Sequence, residues 1–302
     1  MSAARPLRRT GYRGGLRLML LPFLLGALVL VLVPAVMTAG FAFTRYDGLA
    51  PAEFVGWDTY RDLLAYEELR RSLAATAFFV VLAVPLRVLG GLALALLLHR
   101  RRARLAGTGR VAAYVPSVLP DAATALIWLW VVNPVYGPLA VVLQVGSGSP
   151  LLLDRLGARL TVVAIAVFAL GEGFLVTLAA RREVPDVLYD VARLEGAHGV
   201  GQFRRVTLPM LAPVLGLLSA RDLVVSMQVT IVPILLLTRG GPLGATKTLP
   251  VLVYERGFRE LRFGDAAALA LLLFVLTVLL VAVQYRLLRR WFRGGAVATG
   301  GA

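Results

Sequence analysis

Six apolar runs, each long enough to cross a bilayer, dictate what this chain can become. They lie near Leu16–Phe43, Leu73–Leu98, Val111–Val135, Leu160–Ala180, Leu211–Leu237 and Ala266–Leu288. A membrane-spanning helix needs about 20 predominantly apolar residues. The expected fold class is therefore an all-α polytopic membrane protein with six transmembrane helices. The 302 residues are 59% hydrophobic with a mean hydropathy of +0.79, above the roughly 45–50% apolar share of a soluble domain. Arg8, Arg9, Arg13 and Arg17 precede the first run like the basic flank of a signal peptide. That run is too long for one and ends in Phe41-Ala42-Phe43 without a small-residue cleavage pattern, so it is expected to be an uncleaved anchor.

The net charge of +15 raises the question of nucleic acid, and its distribution answers it. Arginines cluster before the first run, at Arg100–Arg110, at Arg181–Arg205 and after the last run. Every second connection is therefore basic, which is the positive-inside pattern. The charge reports topology: both termini are expected in the cytoplasm, with no nucleic-acid partner. The connection 44–72 agrees, carrying six acidic residues against four arginines. The connection 238–265 departs, carrying Arg239, Lys247, Arg256, Arg259 and Arg262 on the expected outer side. Residues 1–15 are expected as a cytoplasmic tail, 16–288 as the transmembrane domain, and 289–302 as a disordered cytoplasmic tail. Seven prolines (Pro22, Pro34, Pro85, Pro116, Pro120, Pro213 and Pro233) fall inside the runs and are expected as packing kinks.

Between the fourth and fifth runs lies a polar insert, residues 184–209, VPDVLYDVARLEGAHGVGQFRRVTLP. Leu188, Val191, Ala192 and Leu194 recur at helical spacing, Gly196, Gly199 and Gly201 loosen the backbone, and Phe203 and Val206 restart the pattern. The insert predicts a hairpin of two helices that docks a soluble partner. Asp190-Val191-Ala192, then Gly196 after three residues, then Val206, Leu208 and Pro209 after nine more, resemble the cytoplasmic "EAA" loop of permease subunits of ATP-binding-cassette importers. The likeness is to the maltose and glycerol-3-phosphate transporter type. Asp190 stands for Glu, Val191 for Ala and Val206 for Ile, each keeping charge or apolar character.

A second block extends the resemblance. Leu237-Thr238-Arg239-Gly240-Gly241-Pro242, then Tyr254, Phe258 and Gly264-Asp265-Ala266, looks like the outer "Leu-Thr-x-Gly-Gly-Pro" loop and final helix of these permeases. The resemblance implies a type I importer permease of a bacterial or archaeal cytoplasmic membrane, carrying a sugar or sugar-like solute. Its implied partners are a homologous second permease, two ATPase subunits and an extracytoplasmic solute-binding protein. Asp190, Val191, Ala192, Glu195, Gly196, Ala197, Leu208 and Pro209 are the implied ATPase-coupling residues. The helix Asp190–Glu195 is expected to sit in a groove of the ATPase, with Gly196 allowing the reversal and Pro209 ending the hairpin.

No Gly-x-x-x-x-Gly-Lys-Ser/Thr phosphate loop occurs, so ATP and Mg are expected on the partner ATPase and no cofactor on this chain. There is no cysteine, and His99 and His198 are far apart, so neither a thiolate site nor a metal pair is expected, and no catalytic set stands out. Ionisable groups inside the runs are Asp121, Glu172 and the adjacent Arg221-Asp222. Leaving such a group in lipid costs roughly 3 kcal/mol or more. Glu172, Asp222, Ser226 and Thr230 are expected to line a translocation path; the plainer reading is that Arg221 pairs with a carboxylate to assemble helices. The alternative to an ATP-driven importer is a secondary carrier using an ion gradient through Glu172 and Asp222.

Overall fold

The structure, a computed structural model, describes residues 10–99, 103–133, 135–139, 151–228 and 231–297. Helices α1 (Thr10–Ala27) and α2 (Val33–Phe41) are joined by a π-helical stretch, Leu28–Leu32, into the first span. A two-stranded antiparallel pair follows, β1 (Thr44–Arg45) with β2 (Glu53–Phe54), and then α3 (Asp58–Ala65) and the long α4 (Glu67–His99). Next come α5 (Ala103–Val118), α6 (Asp121–Val131), α7 (Arg155–Phe168), α8 (Gly171–Arg182) and α9 (Asp186–Leu194). The short α10 (Val200–Gln202) and a π-helical turn, Phe203–Thr207, lead into α11 (Leu208–Gln228). The chain closes with α12 (Ile231–Leu237), α13 (Leu249–Tyr254), a π-helical turn at Glu255–Arg259, and α14 (Phe263–Val297).

Among the described residues, four helical segments are long and apolar enough to span a membrane, and two bent pairs bring the total to six. The third span, read from the sequence as Val111–Val135 with Pro116 and Pro120 interrupting it, is sharply bent. Ala103, inside the stretch read as a loop, is already helical, and the span turns by 104° between α5 and α6. Pro120 explains the turn, because it has no N–H for the ladder and pushes Leu119 out of the helical region. The fourth span is likewise broken, by 44° between α7 and α8. Pro22, Pro85, Pro116 and Pro213 stay inside continuous helices. In the fifth run the described residues are helical as α11 to Gln228 and as α12 from Ile231 to Leu237, with residues 229–230 outside the described residues. The last helix continues to Val297, past the boundary expected at Leu288, because nothing in Arg289–Arg293 breaks a helix. Thr10 is already helical, inside the expected tail.

α4 is the axis of the bundle. Its Ala75, Phe79 and Ala83 pack against Val162 and Val163 of α7, Ile234 of α12 and Val251 of α13. One face lower, Ala95 packs on Phe174 and Leu178 of α8. Lipid tails are as apolar as leucine, so close packing of small residues such as these holds the spans together. By contrast, no residue of Leu28–Phe41 is buried. At the end of the first span Phe43, Trp57 and Tyr60 form an aromatic cluster with ring centroids 5.3–5.5 Å apart, the composition of a membrane–water boundary.

The basic connection 238–265 is explained by its partners. Lys247 Nζ lies 2.8 Å from Glu68 and 2.6 Å from Glu255. Arg256 reaches Glu68 at 2.7 Å and Glu260 at 2.6 Å, and Arg262 reaches Asp265 at 2.6 Å. Carboxylates from α4 and from the segment itself thus pair with Lys247, Arg256, Arg259 and Arg262, four of the five cations that broke the charge rule. Burial alone would lower the Lys247 ammonium, but its bonds to Glu255 and Glu68 outweigh that and hold it above the ordinary lysine value.

Candidate functional site

The insert folds as the sequence predicts, a helix followed by a sharp reversal, and its details are built on two faces. Tyr189 and Ala192 of α9 point inward and join Val184, Ala197 and Val206 in a small core. Val187, Val191 and Leu194, spaced four and three residues apart, are exposed on the opposite side. Asp190 is also exposed and pairs with Arg193 at 3.1 Å. Glu195 caps the helix, and Gly196 follows at φ +78°. The Gly196 N–H bonds to Arg193 O at 3.0 Å and the Ala197 N–H to Ala192 O at 2.8 Å. These are the two bonds of a Schellman reversal, with Ala197 packed back on Ala192. Gly199 sits at φ +49°, ψ −106°, a conformation that side-chain-bearing residues avoid. Leu208 is half-buried and Pro209 exposed. Pro209 does not end the hairpin, because the helix runs from Val200 to Gln228 without interruption. The widened turn, in which Leu208 N–H reaches Phe203 O, accommodates the proline ring and its missing donor.

At membrane depth the two broken spans meet. Ser117, at the end of α5, accepts a hydrogen bond from the Gly171 N–H at 2.8 Å, capping the start of α8. Gly171 is required there: a Cβ would lie 2.6 Å from Ala113 O and 2.8 Å from Tyr114 Cα. Across the gap, Arg87 of α4 donates to Ala169 O at 3.4 Å, satisfying a carbonyl freed where α7 ends. The breaks thus surround a cavity of about 180 Å³ lined by Arg87, Ser117, Asp121, Thr124, Glu172 and Ser226 among apolar neighbours. Irregular backbone at this depth is tolerated where it lines such a cavity. Asp121 and Glu172 each sit in the first turn of a helix, where the helix dipole favours a carboxylate.

The charges form one chain. Arg87 is 3.5 Å from Asp222, Asp222 is 3.3 Å from Arg221, and Arg221 pairs with Glu172. The inner pair is buried, with side chains 12% and 6% exposed, whereas Arg221 and Glu172 are 43% and 48% exposed. Glu172 and Ser226 therefore stand on the cavity wall, and Asp222 stands behind it, held between two arginines. Thr230 lies outside the described residues. Reasoning from sequence missed Arg87, although a lone arginine in the apolar stretch Val84–Leu92 carries the same signal as Arg221. Ser117 and Thr124 gave no such signal.

A bundle of six spans, broken at a charged cavity and carrying an exposed two-faced hairpin, is the membrane domain of a transporter. Residues 87–293 match the family described as binding-protein-dependent transport system inner membrane component. The chain belongs to that family: it is the permease subunit of an ATP-driven, binding-protein-dependent importer, a multi-pass protein of the inner membrane and not itself an enzyme. It is 31% identical over 283 residues to the sn-glycerol-3-phosphate transport system permease protein UgpA of Agrobacterium fabrum, covering 90% of this chain and 95% of that one. It is 30% identical over 267 residues to the trehalose/maltose transport system permease protein MalF of Thermococcus litoralis, covering 86% and 89%. A crystal structure of a bacterial ABC transporter involved in import of the acidic polysaccharide alginate shares the fold, with a TM-score of 0.78 at 21% identity over 91% of this chain and 95% of that one. These likenesses favour the importer over the ion-gradient carrier.

Proposed function

We propose that the hairpin 184–209 is the ATPase-coupling element and that the face bearing Glu172 and Arg221 lines the solute path. The observation that carries this is the division of α9 into a buried face and an exposed apolar one. A helix whose back is pinned by Tyr189 and Ala192 while Val187, Val191 and Leu194 face outward is shaped to seat in a groove of a partner. The implied assembly has this chain beside a homologous permease, with two ATPase subunits that hold ATP and Mg on the hairpin side and a solute-binding protein on the other. Both termini then lie in the cytoplasm, which the arginine distribution supports.

The half-exposed Glu172–Arg221 pair supports the path. Charges at this depth avoid lipid, so that face suits water, solute or the second permease. The solute is sugar-like: relatives are named for glycerol-3-phosphate and for trehalose and maltose. The cavity offers carboxylates, hydroxyls and a guanidinium that can bond several hydroxyl groups. The test of coupling is Val191→Asp, alone and with Leu194→Asp. Both should insert normally and lose the co-purifying ATPase; full retention would refute the docking role. Binding of a sugar panel to the partner solute-binding protein tests the solute class, and failure of every sugar would overturn it.

A further inference from the structure

Tyr189 is the one α9 residue whose side chain reaches both neighbouring spans among the described contacts. It is 4% exposed. The guanidinium of Arg181, in the last turn of α8, lies 4.4 Å over its ring. Its hydroxyl is 2.9 Å from Oγ1 of Thr207, the last residue of the π-helical turn that opens into α11. Its backbone carbonyl accepts from Gln202 Nε2 at 3.4 Å. One ring therefore ties α9 to the end of α8 and to the start of α11.

Those same two helices are tied again at membrane depth, where Glu172 in the first turn of α8 pairs with Arg221 of α11. At about 1.5 Å of rise per residue, Arg181 lies roughly 13 Å along α8 from Glu172, and Thr207 roughly 21 Å along the helix from Arg221. The arrangement is two rails with a rung at either end. Shear between α8 and α11 must break a rung, so a displacement of α9 turns both rails together.

We infer that Tyr189 is a positioning residue for transport: through Arg181 and Thr207 it makes α8 and α11 follow α9 as one body, carrying the motion of the docked hairpin to the Glu172–Arg221 pair at the cavity. The inference rests on α9 being the ATPase-docking helix. The ring and the hydroxyl have separable parts. The ring bears on Arg181 and keeps α9 against α8, while the hydroxyl fixes α9 to the π-helical turn and so to α11. That turn is π-helical and wider than the α-helix it leads into, a place where a helix can change its winding.

The experiment uses the whole complex, both permeases and both ATPases, in lipid nanodiscs. The readout is the ratio of ATP hydrolysis with and without the solute-binding protein, taken for each variant against its own basal rate. Tyr189→Phe keeps the ring and removes the bond to Thr207; Thr207→Val removes the same bond from the other side. Each should lower the ratio by roughly threefold to tenfold, the range a lost hydrogen bond produces. Combined, they should lower it no further, because one bond is removed twice. Tyr189→Leu, which also removes the ring from Arg181, should lower it more. A merely structural tyrosine gives reduced yield with an unchanged ratio, and that result, or additive losses in the double variant, overturns the inference. If Tyr189→Phe does not assemble, Thr207→Val decides alone. Val191→Asp separates the two failures. If it keeps its ATPase, the docking reading falls and this inference with it. If it loses the ATPase while Tyr189→Phe keeps a normal ratio, only this inference falls.

Discussion

Replacing Gly196 by valine puts a β-branched residue at φ +78° in the turn that reverses α9. No heavy atom lies within 4 Å of the position its Cβ would take, so the whole cost is in the backbone. Left-handed backbone costs an ordinary residue roughly 1–2 kcal/mol, and β-branching brings that to about 2–3 kcal/mol. At about 1.4 kcal/mol per tenfold, that weakens the closed reversal by roughly 30- to 150-fold. The bonds at stake are Gly196 N–H to Arg193 O and Ala197 N–H to Ala192 O, together with the packing of Ala197 on Ala192. The six spans do not depend on them. Permease should therefore insert at normal levels while the ATPase retained per permease on affinity purification falls steeply. A series fixes the cause: Gly196→Asn should be mild, since asparagine visits this region readily, Gly196→Ala intermediate and Gly196→Val severe. Gly107→Val is the control. Gly107 lies within α5 with nothing within 4 Å of its Cβ position, and valine is no worse than glycine in a helix. Equal ATPase retention by Gly196→Val and the wild type, at equal expression, would refute the reasoning.

The remaining expectations separate the parts of the molecule. Asp222→Ala strands the Arg87 guanidinium, whose side chain is only 12% exposed, and should cost about 3–5 kcal/mol, read as lost folded yield; Arg87→Met with Asp222→Leu should restore it. Glu172→Gln, at a half-exposed position, should leave yield intact and change uptake kinetics, and unchanged kinetics would return Glu172 to a structural role. Reporters placed after Gly56 and Gly241 should read outside and one after Gly199 inside, and an outside signal at Gly199 would sink both the topology and the coupling. Lys247 is held above its ordinary value of 10.5, so its pairs stabilise fully below that pH and are lost as pH rises through the folded value. Thermal stability should therefore fall above about pH 10.5 in the wild type but not in Lys247→Met, and an identical alkaline profile would count against the network.

The hairpin was legible because its physics is local. Helical spacing in Leu188–Leu194 and a glycine where the chain must reverse specify α9 and its end without reference to anything distant. Yet the spacing did not tell the two apolar sides apart: Leu188, Val191, Ala192 and Leu194 read as one set, whereas the fold buries Ala192 beside Tyr189 and leaves Val191 and Leu194 out. Pro209 misled for a related reason. Proline predicts a stop, and only the π-helical turn before it shows how a continuous helix avoids the lost bond.

Apolar run length alone determined the all-α polytopic class, because a lipid-exposed backbone must satisfy itself within its own helix. The arginine clusters likewise carry the expected topology, and the spacing of residues 190–209 the kinship. What only the tertiary structure decided is where charge goes. Arg87 and Asp222 are 135 positions apart in numbering and 3.5 Å apart in space, and Lys247 finds Glu68 across the bundle. Such partners are set by packing between helices, and no periodicity within one helix encodes them. The same holds for the cavity: Pro120 announces one break, but that break becomes a site only because α7 breaks beside it, and Ser117 and Arg87 then satisfy the backbone freed there.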